Sequence, residues 1–220
     1  MPPVIESTTR DRHRLAACLQ PPGRGLQLEA VPGTGDGRGE LEEYVRAAFQ
    51  AKHGARVRSF MPTLLAFRDR LGSLRGVVGV RGAQQERLYL EQYLDRPVEQ
   101  ALDEALQSRG VGTVRRDQIA EVGNLAGASC RSAVRMVAHI PAYLMSQQYQ
   151  WIVFTATGAL RQILAGFGAP LVELARADGS NVAASSDEWG RYYETDPRVY
   201  AGYLPDAEHL AGFAHRGGNH

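Results

Sequence analysis

"IAEVGNLAGASCRSAV", Ile119 to Val134, is the stretch whose reading decides the fold of this chain. Its first residues alternate at period two. That places Ile119, Glu121 and Gly123 on one strand face and Ala120, Val122 and Asn124 on the other. Gly123 marks a bulge or a close backbone approach, and a bulge leaves an N–H unpaired. Gly127-Ala128-Ser129 then leads into a helix, whose first N–H groups suit an anion. A carboxylate, a spare N–H at Val122 or Gly123 and a helix N-terminus together fit an acyl-transfer site. A salt-bridged Glu at an element boundary fits the same letters, and the local pattern leaves both readings open.

Reading outward, Ala133, Met136, Val137, Ile140 and Leu144 keep helical spacing, and Pro141 should kink or end that helix near Ile140. "WIVFTAT" (Trp151 to Thr157) is the strongest strand, rich in β-branched and aromatic residues, and Thr157 can cap the helix "GALRQILAGFG" behind it. "PLVELA" reads as a further strand, and "WGRYYETDPRVYAGYL" as loop and short strand. Upstream, Leu41, Tyr44, Val45, Ala48 and Phe49 give one apolar helix face beginning near Leu41. "TLLAF" and "LRGVVGV" flank a polar turn and predict an antiparallel hairpin. Pro97 suits the first turn of a helix striped by Val98, Ala101, Leu102, Ala105 and Leu106, with Asp95 in its cap region. "PGTGDGRGE" (Pro32 to Glu40) lacks both a Lys-Ser/Thr ending and GxGxxG spacing, so it reads as a flexible turn. Helices and strands are interleaved around an early hairpin, which predicts an α/β (α+β) fold with a mixed sheet flanked by helices.

The bulk numbers fit one domain over residues 1–210 of the 220, with 211–220 a disordered tail. A formal charge of +1 gives no nucleic-acid platform, and Lys52 as the sole lysine reflects codon bias in a GC-rich genome. Cys18 and Cys130 form neither a disulfide framework nor a metal set, which favours a reducing compartment. The first residues carry charges where a secretory signal needs its apolar core, and the apolar run from Trp151 to Val172 is broken by Arg161 and glycines. The expectation is a cytoplasmic protein without stable membrane insertion.

"LEQYLDRPVEQAL", "IAEVGNLAGAS", "WIVFTATGALRQIL" and "WGRYYETDPRVYAG" resemble, in order and rough spacing, the thermostable hemolysin family, over roughly Phe60 to Leu204. That family is similar to the GNAT acyltransferase fold and, within it, to the acyl-homoserine-lactone synthases. The resemblance implies a single GNAT-like domain with a central, mostly antiparallel sheet. It also implies acyl transfer from an acyl-CoA or acyl-carrier-protein thioester to a small acceptor amine. Glu121 matches the Glu of the synthases' Glu-x-x-Arg, with Asn124 in the Arg position. The GNAT pyrophosphate loop is replaced by Gly127-Ala128-Ser129-Cys130-Arg131, so a carrier-protein donor stands beside coenzyme A.

The resulting expectations are Glu121, Asn124 and Thr155 for catalysis, and Val122, Gly123, Leu125, Gly127, Ser129, Cys130 and Arg131 along the thioester. Asp95, Thr157, Arg161, Trp189, Tyr192 and Tyr193 are expected toward the substrate, with no metal. Each also has a plainer reading. Cys130 is a nucleophile with a lowered pKa or a small buried helix residue, His139 a structural histidine, and Arg161 an anion contact or an ion-pair partner. Thr155 contacts substrate or fills the sheet, and the three aromatics line an acyl pocket or form a satellite core. A membrane-active protein and a non-catalytic GNAT-like binding module are the alternative functions.

Overall fold

In the computed structural model, which describes residues 26–106, 112–182 and 186–207, the strands are β1 (Gln27–Pro32), β2 (Thr63–Arg68), β3 (Leu74–Gly82), β4 (Ile119–Gly127), β5 (Trp151–Ala156), β6 (Leu171–Arg176) and β7 (Arg198–Tyr203). The helices are α1 (Arg38–His53), α2 (Val98–Leu106), α3 (Cys130–Ser146), α4 (Gly158–Gly166) and the single-turn α5 (Ser186–Trp189). One sheet runs in the order β1-β2-β3-β4-β5-β7-β6. Every neighbouring pair is antiparallel except β4 and β5. The expected α/β mixed sheet with a β2–β3 hairpin is therefore the observed one.

Alternation along the strands sorts the core into two faces. On one, Ala120, Val122, Phe154 and Ala156 pack under α3 and α4 through Val137, Ile140, Ile163 and Leu164. On the other, Ile119, Trp151 and Val153 meet Leu90 and the α2 stripe Val98, Leu102 and Leu106. On that second face, α1 covers Leu64, Ala66, Val77 and Ala126 with Leu41 and Val45. Burying each of the Val, Leu and Ile side chains among them contributes about 1.5–3 kcal/mol.

The parallel β4–β5 ladder ends at Val122↔Phe154, so from Gly123 onward β4 has no strand on that side. The two strands part, and β4 bends where they do. Val77 pairs with Ala126 and Gly79 with Gly123, so Asn124 and Leu125 together oppose Val78. That two-against-one count is a β-bulge, with Asn124 in the left-handed region at φ 47°. The bulge lies one residue beyond the Gly123 that the sequence marked. It also resets the alternation, so Ala126 joins the face of Ile119 and Glu121.

Pro141 neither ends nor shortens α3, which continues to Ser146. Ile140, Pro141 and Leu144 are all buried, and that burial offsets the ~3 kcal/mol cost of an interior proline. β1 has no counterpart in the sequence reading, because only Val31 of its six residues is buried. α1 starts at Arg38, a turn earlier than its first buried apolar residue, Leu41. Cys18, the amino-terminal reading and the tail 211–220 lie outside the described residues.

Candidate active site

Glu121 lies in the paired half of β4 and is only 3% exposed. Its Oε2 accepts the Tyr89 backbone N–H at 2.8 Å and its Oε1 the Leu90 N–H at 2.9 Å. The carboxylate thus holds the first turn of a 3₁₀ helix, Tyr89–Tyr93, against the sheet. Among the described residues no ion pair holds it. Burial pushes its carboxyl up to about 7, against the pull of the two N–H bonds and of Arg81. Of the two readings the sequence left open, the salt bridge is not formed among the described residues, and a helix-turn clamp stands in its place.

Where β4 and β5 part, a cleft of about 990 Å³ opens, lined from both sides of the sheet. Glu121, Arg81, Tyr89, Tyr93, Trp189 and Tyr192 form one part of its wall. The aromatic rings pack on one another, Trp189 with Tyr192 at 5.2 Å and with Tyr89 at 5.7 Å between centroids. Burial raises the Tyr89, Tyr93 and Tyr192 hydroxyls, so all three are protonated at neutral pH. Another part of the wall is apolar, with Val137, Ile140, Ile152, Phe154, Ile163 and Leu171.

The bulge is held from above. Asn124 Oδ1 accepts the Met61 backbone N–H at 2.9 Å. The Met61 side chain then lies so close that a Cβ at Gly79 or Gly123 would meet it at 2.6 Å. At Gly79 the clash is with Met61 Cβ and Cγ and with Asn124 Oδ1, so glycine is required there, whereas at Gly123 only the flexible Met61 methyl is in the way. Ser129 caps α3 by accepting the Ser132 N–H at 3.1 Å, which brings the start of that helix to the cleft beside Gly127 and Ala128.

The cleft brings together Glu121, Val122, Gly123, Asn124, Leu125, Gly127, Ser129 and Cys130 from β4 and its exit. Thr155, Thr157, Trp189 and Tyr192 line it as well. Thr157 also caps α4, accepting the Leu160 N–H at 3.4 Å. Cys130 is exposed, which removes its reading as a buried helix residue. Four expected residues lie elsewhere. Asp95 is exposed and hydrogen-bonded to Arg96 at 2.8 and 2.9 Å, because the Tyr89–Tyr93 turn carries it to the surface. Arg161 is drawn into an ion pair with Asp196 at 2.9 Å. Arg131 is exposed on α3. Tyr193 stands behind the aromatic wall, its hydroxyl 2.8 Å from that of Tyr93. His139 is structural, its Nδ1 2.7 Å from the Arg135 carbonyl and its ring edge-on to Phe67.

The sequence reading missed Arg81, Tyr89, Tyr93, His53 and Met61, all of which line the cleft. Burial lowers the His53 imidazole, with Lys52 and Arg191 adding to the effect, so it is neutral at neutral pH. Only Arg81 carried a detectable signal, as a charge inside an otherwise apolar strand.

Several solved structures have a similar fold. One similar structure is FeeM, an N-acyl amino acid synthase from uncultured soil microbes, at 14% identity and TM-score 0.52, covering 86% of this chain and 97% of that one. MesI, a CoA-dependent acyl-homoserine lactone synthase, matches at 15% identity and TM-score 0.54, covering 88% and 96%. The acyl-homoserine-lactone synthase LasI matches at 12% identity and TM-score 0.52, covering 83% and 91%. These similarities establish a shared fold. The chain itself belongs to the thermostable hemolysin family, whose model matches residues 31–208. Curated protein sequences give no match.

Proposed function

We propose that this protein transfers an acyl group from a thioester donor to the amine of a small, amino-acid-like acceptor. The observation that carries this reading is the split between β4 and β5, where a buried, ion-unpaired carboxylate and a long apolar wall share one cleft. The acyl chain lies along the apolar wall, and the acceptor enters on the aromatic side. The amine nitrogen attacks the thioester carbonyl carbon, the C–S bond breaks, and the thiolate leaves. The amine proton passes to Glu121, directly or through one water, and then to the departing thiolate. A carboxyl near 7 is matched to that exchange at neutral pH. The N–H of Val122 or Gly123, at the parting of the strands, is the proposed donor to the developing oxyanion, with Asn124 and Thr155 shaping the site. The helix start at Ser129 receives the donor's phosphate, whether from coenzyme A or from a carrier protein's phosphopantetheine arm.

Structures of the same fold named as an N-acyl amino acid synthase and as acyl-homoserine lactone synthases support this reading. The test is incubation with acyl-CoA and acyl-carrier-protein donors and a panel of amino acids, followed by mass spectrometry. N-acyl products with matching thiol release are expected; thioester turnover without an N-acyl product would overturn the proposal. The family name points instead to lysis, yet among the described residues no helix is long and apolar enough to cross a membrane. Dye release from liposomes by the pure protein would favour that second reading.

A further inference from the structure

Arg81 sits directly across the antiparallel ladder from Glu121, so the two side chains leave the sheet on the same face. Both line the cleft. Cross-strand neighbours have Cβ atoms about 5 Å apart, within easy reach for opposite charges. Yet they form no ion pair with each other. The Glu121 oxygens are turned to Tyr89 and Leu90, and Arg81 leans toward Glu86. The lean is poorly rewarded. Glu86 Oε1 lies 3.1 Å from Arg81 Nε, but Nε is buried without a hydrogen bond, and Nη1 reaches only the Arg87 carbonyl at 3.4 Å. Glu86 itself is more than half exposed, so water competes for it.

We infer that Arg81 is the carboxylate anchor of the acceptor site, which makes the acceptor an α-amino acid and selects it over the corresponding simple amine. This rests on the acyl-transfer reading above and specifies its acceptor. An α-amino acid carries its nitrogen and its carboxylate on one carbon. Arg81 and Glu121, on one ladder step, present complementary charges at that short spacing. The guanidinium fork takes the carboxylate, and Glu121 keeps a lone pair on each oxygen for the amine beyond its two backbone bonds. Lys52 also reaches the cleft, but from the exposed end of α1, where it holds no fixed register with Glu121.

The experiment measures binding, apart from turnover. Calorimetry over the coded α-amino acids identifies the tightest ligand, which is then compared with its decarboxylated amine. In the unsubstituted protein the amino acid should bind about 10- to 100-fold more tightly, the worth of a charge-assisted hydrogen-bonded pair. Arg81→Gln should abolish that gap, and Arg81→Lys should restore part of it. Glu86→Gln, on the exposed rim, should tighten amino-acid binding and leave the amine unaffected. A gap that survives in Arg81→Gln, or no amino-acid binding at all, overturns the inference, as does a Glu86→Gln protein with unchanged affinity. If the gap is present and Arg81-dependent but no donor acylates the bound amino acid, the anchor stands and the acyl-transfer reading fails.

Discussion

Two carboxylates fix the same 3₁₀ turn, Glu91 from within it and Glu121 from β4, and both are almost wholly buried. Glu91 accepts the Leu88 N–H at 2.8 Å and the Val98 N–H at 3.0 Å, so it joins that turn to the start of α2. It also takes a fork from Arg116 at 2.7 and 2.9 Å, and Arg116 in turn binds Glu99. Glu121 has the same number of backbone bonds but no cation of its own. Their titration accordingly diverges. Burial pushes Glu91 up, but the Arg116 hydrogen bonds and the two N–H bonds outweigh it and hold the carboxyl below its ordinary value. Burial wins at Glu121, which rises to about 7. Similar exposure and equal capping give a fixed charge at one site and an exchangeable proton at the other. Glu121 is set deeper among protein atoms and lacks a paired cation; the two together make the difference, and Glu121 is the one that faces the cleft.

Removing the cation at Glu91 should have the largest effect on stability. Arg116→Met leaves a buried carboxylate uncompensated and should cost about 3 kcal/mol, the lower end for a broken buried pair because Arg116 is partly exposed. Urea unfolding measures it, and an unchanged midpoint would remove the contrast between the two sites.

At Glu121 the expected signature is a pH dependence. Its folded pKa lies above the unfolded value, so the folded protein holds the extra proton. The associated stability is complete below about pH 4.5 and is lost as pH rises through about 7. That loss amounts to as much as about 3 kcal/mol. Glu121→Gln does not titrate, and its amide nitrogen faces a backbone N–H, which costs about 1–3 kcal/mol. The variant should therefore be clearly less stable than the unsubstituted protein near pH 4.5, with the gap closing toward pH 8. A gap that is flat with pH would place the Glu121 titration outside this range. Gln keeps the shape of the side chain but only one of the two acceptors that Tyr89 and Leu90 use.

Smaller effects should follow at the bulge. Asn124→Ala loses the acceptor for the Met61 N–H and places Ala at a left-handed φ, together about 2 kcal/mol. Asn124→Gly restores the backbone freedom but not the bond, so it should recover part of the loss. Asp95→Asn, at an exposed pair away from the cleft, should leave melting temperature and turnover unchanged. An effect of that variant on turnover would bring Asp95 back to the site.

What the sequence discloses divides along physical lines. β2 to β5 and α2 to α4 were legible because periodicity and capping are local: Thr157 and Ser129 cap helices a few residues away. The strand carrying Glu121 and its passage into a helix were legible for the same reason. The Glu121 partners were not, because Tyr89 and Leu90 lie 32 and 31 residues upstream and reach it only through the packing of the 3₁₀ turn. Arg81 was hidden likewise, since its position opposite Glu121 is a matter of cross-strand register. β1 escaped because an exposed edge strand shows too little apolar alternation. Of the two readings open for Arg161, the ion pair is the one that forms, and its partner Asp196 was hidden because it lies far along the chain.

The central claim is that Glu121 clamps the Tyr89–Tyr93 turn and also exchanges the proton of the acylated amine. The most direct measurement is the N-acylation rate of Glu121→Gln, normalised to the folded fraction of the same preparation at pH 7. The account predicts a rate roughly 10²- to 10⁴-fold below that of the unsubstituted protein, the usual worth of general-base catalysis. A near-normal rate in the folded fraction would contradict it and leave Glu121 as a structural clamp alone.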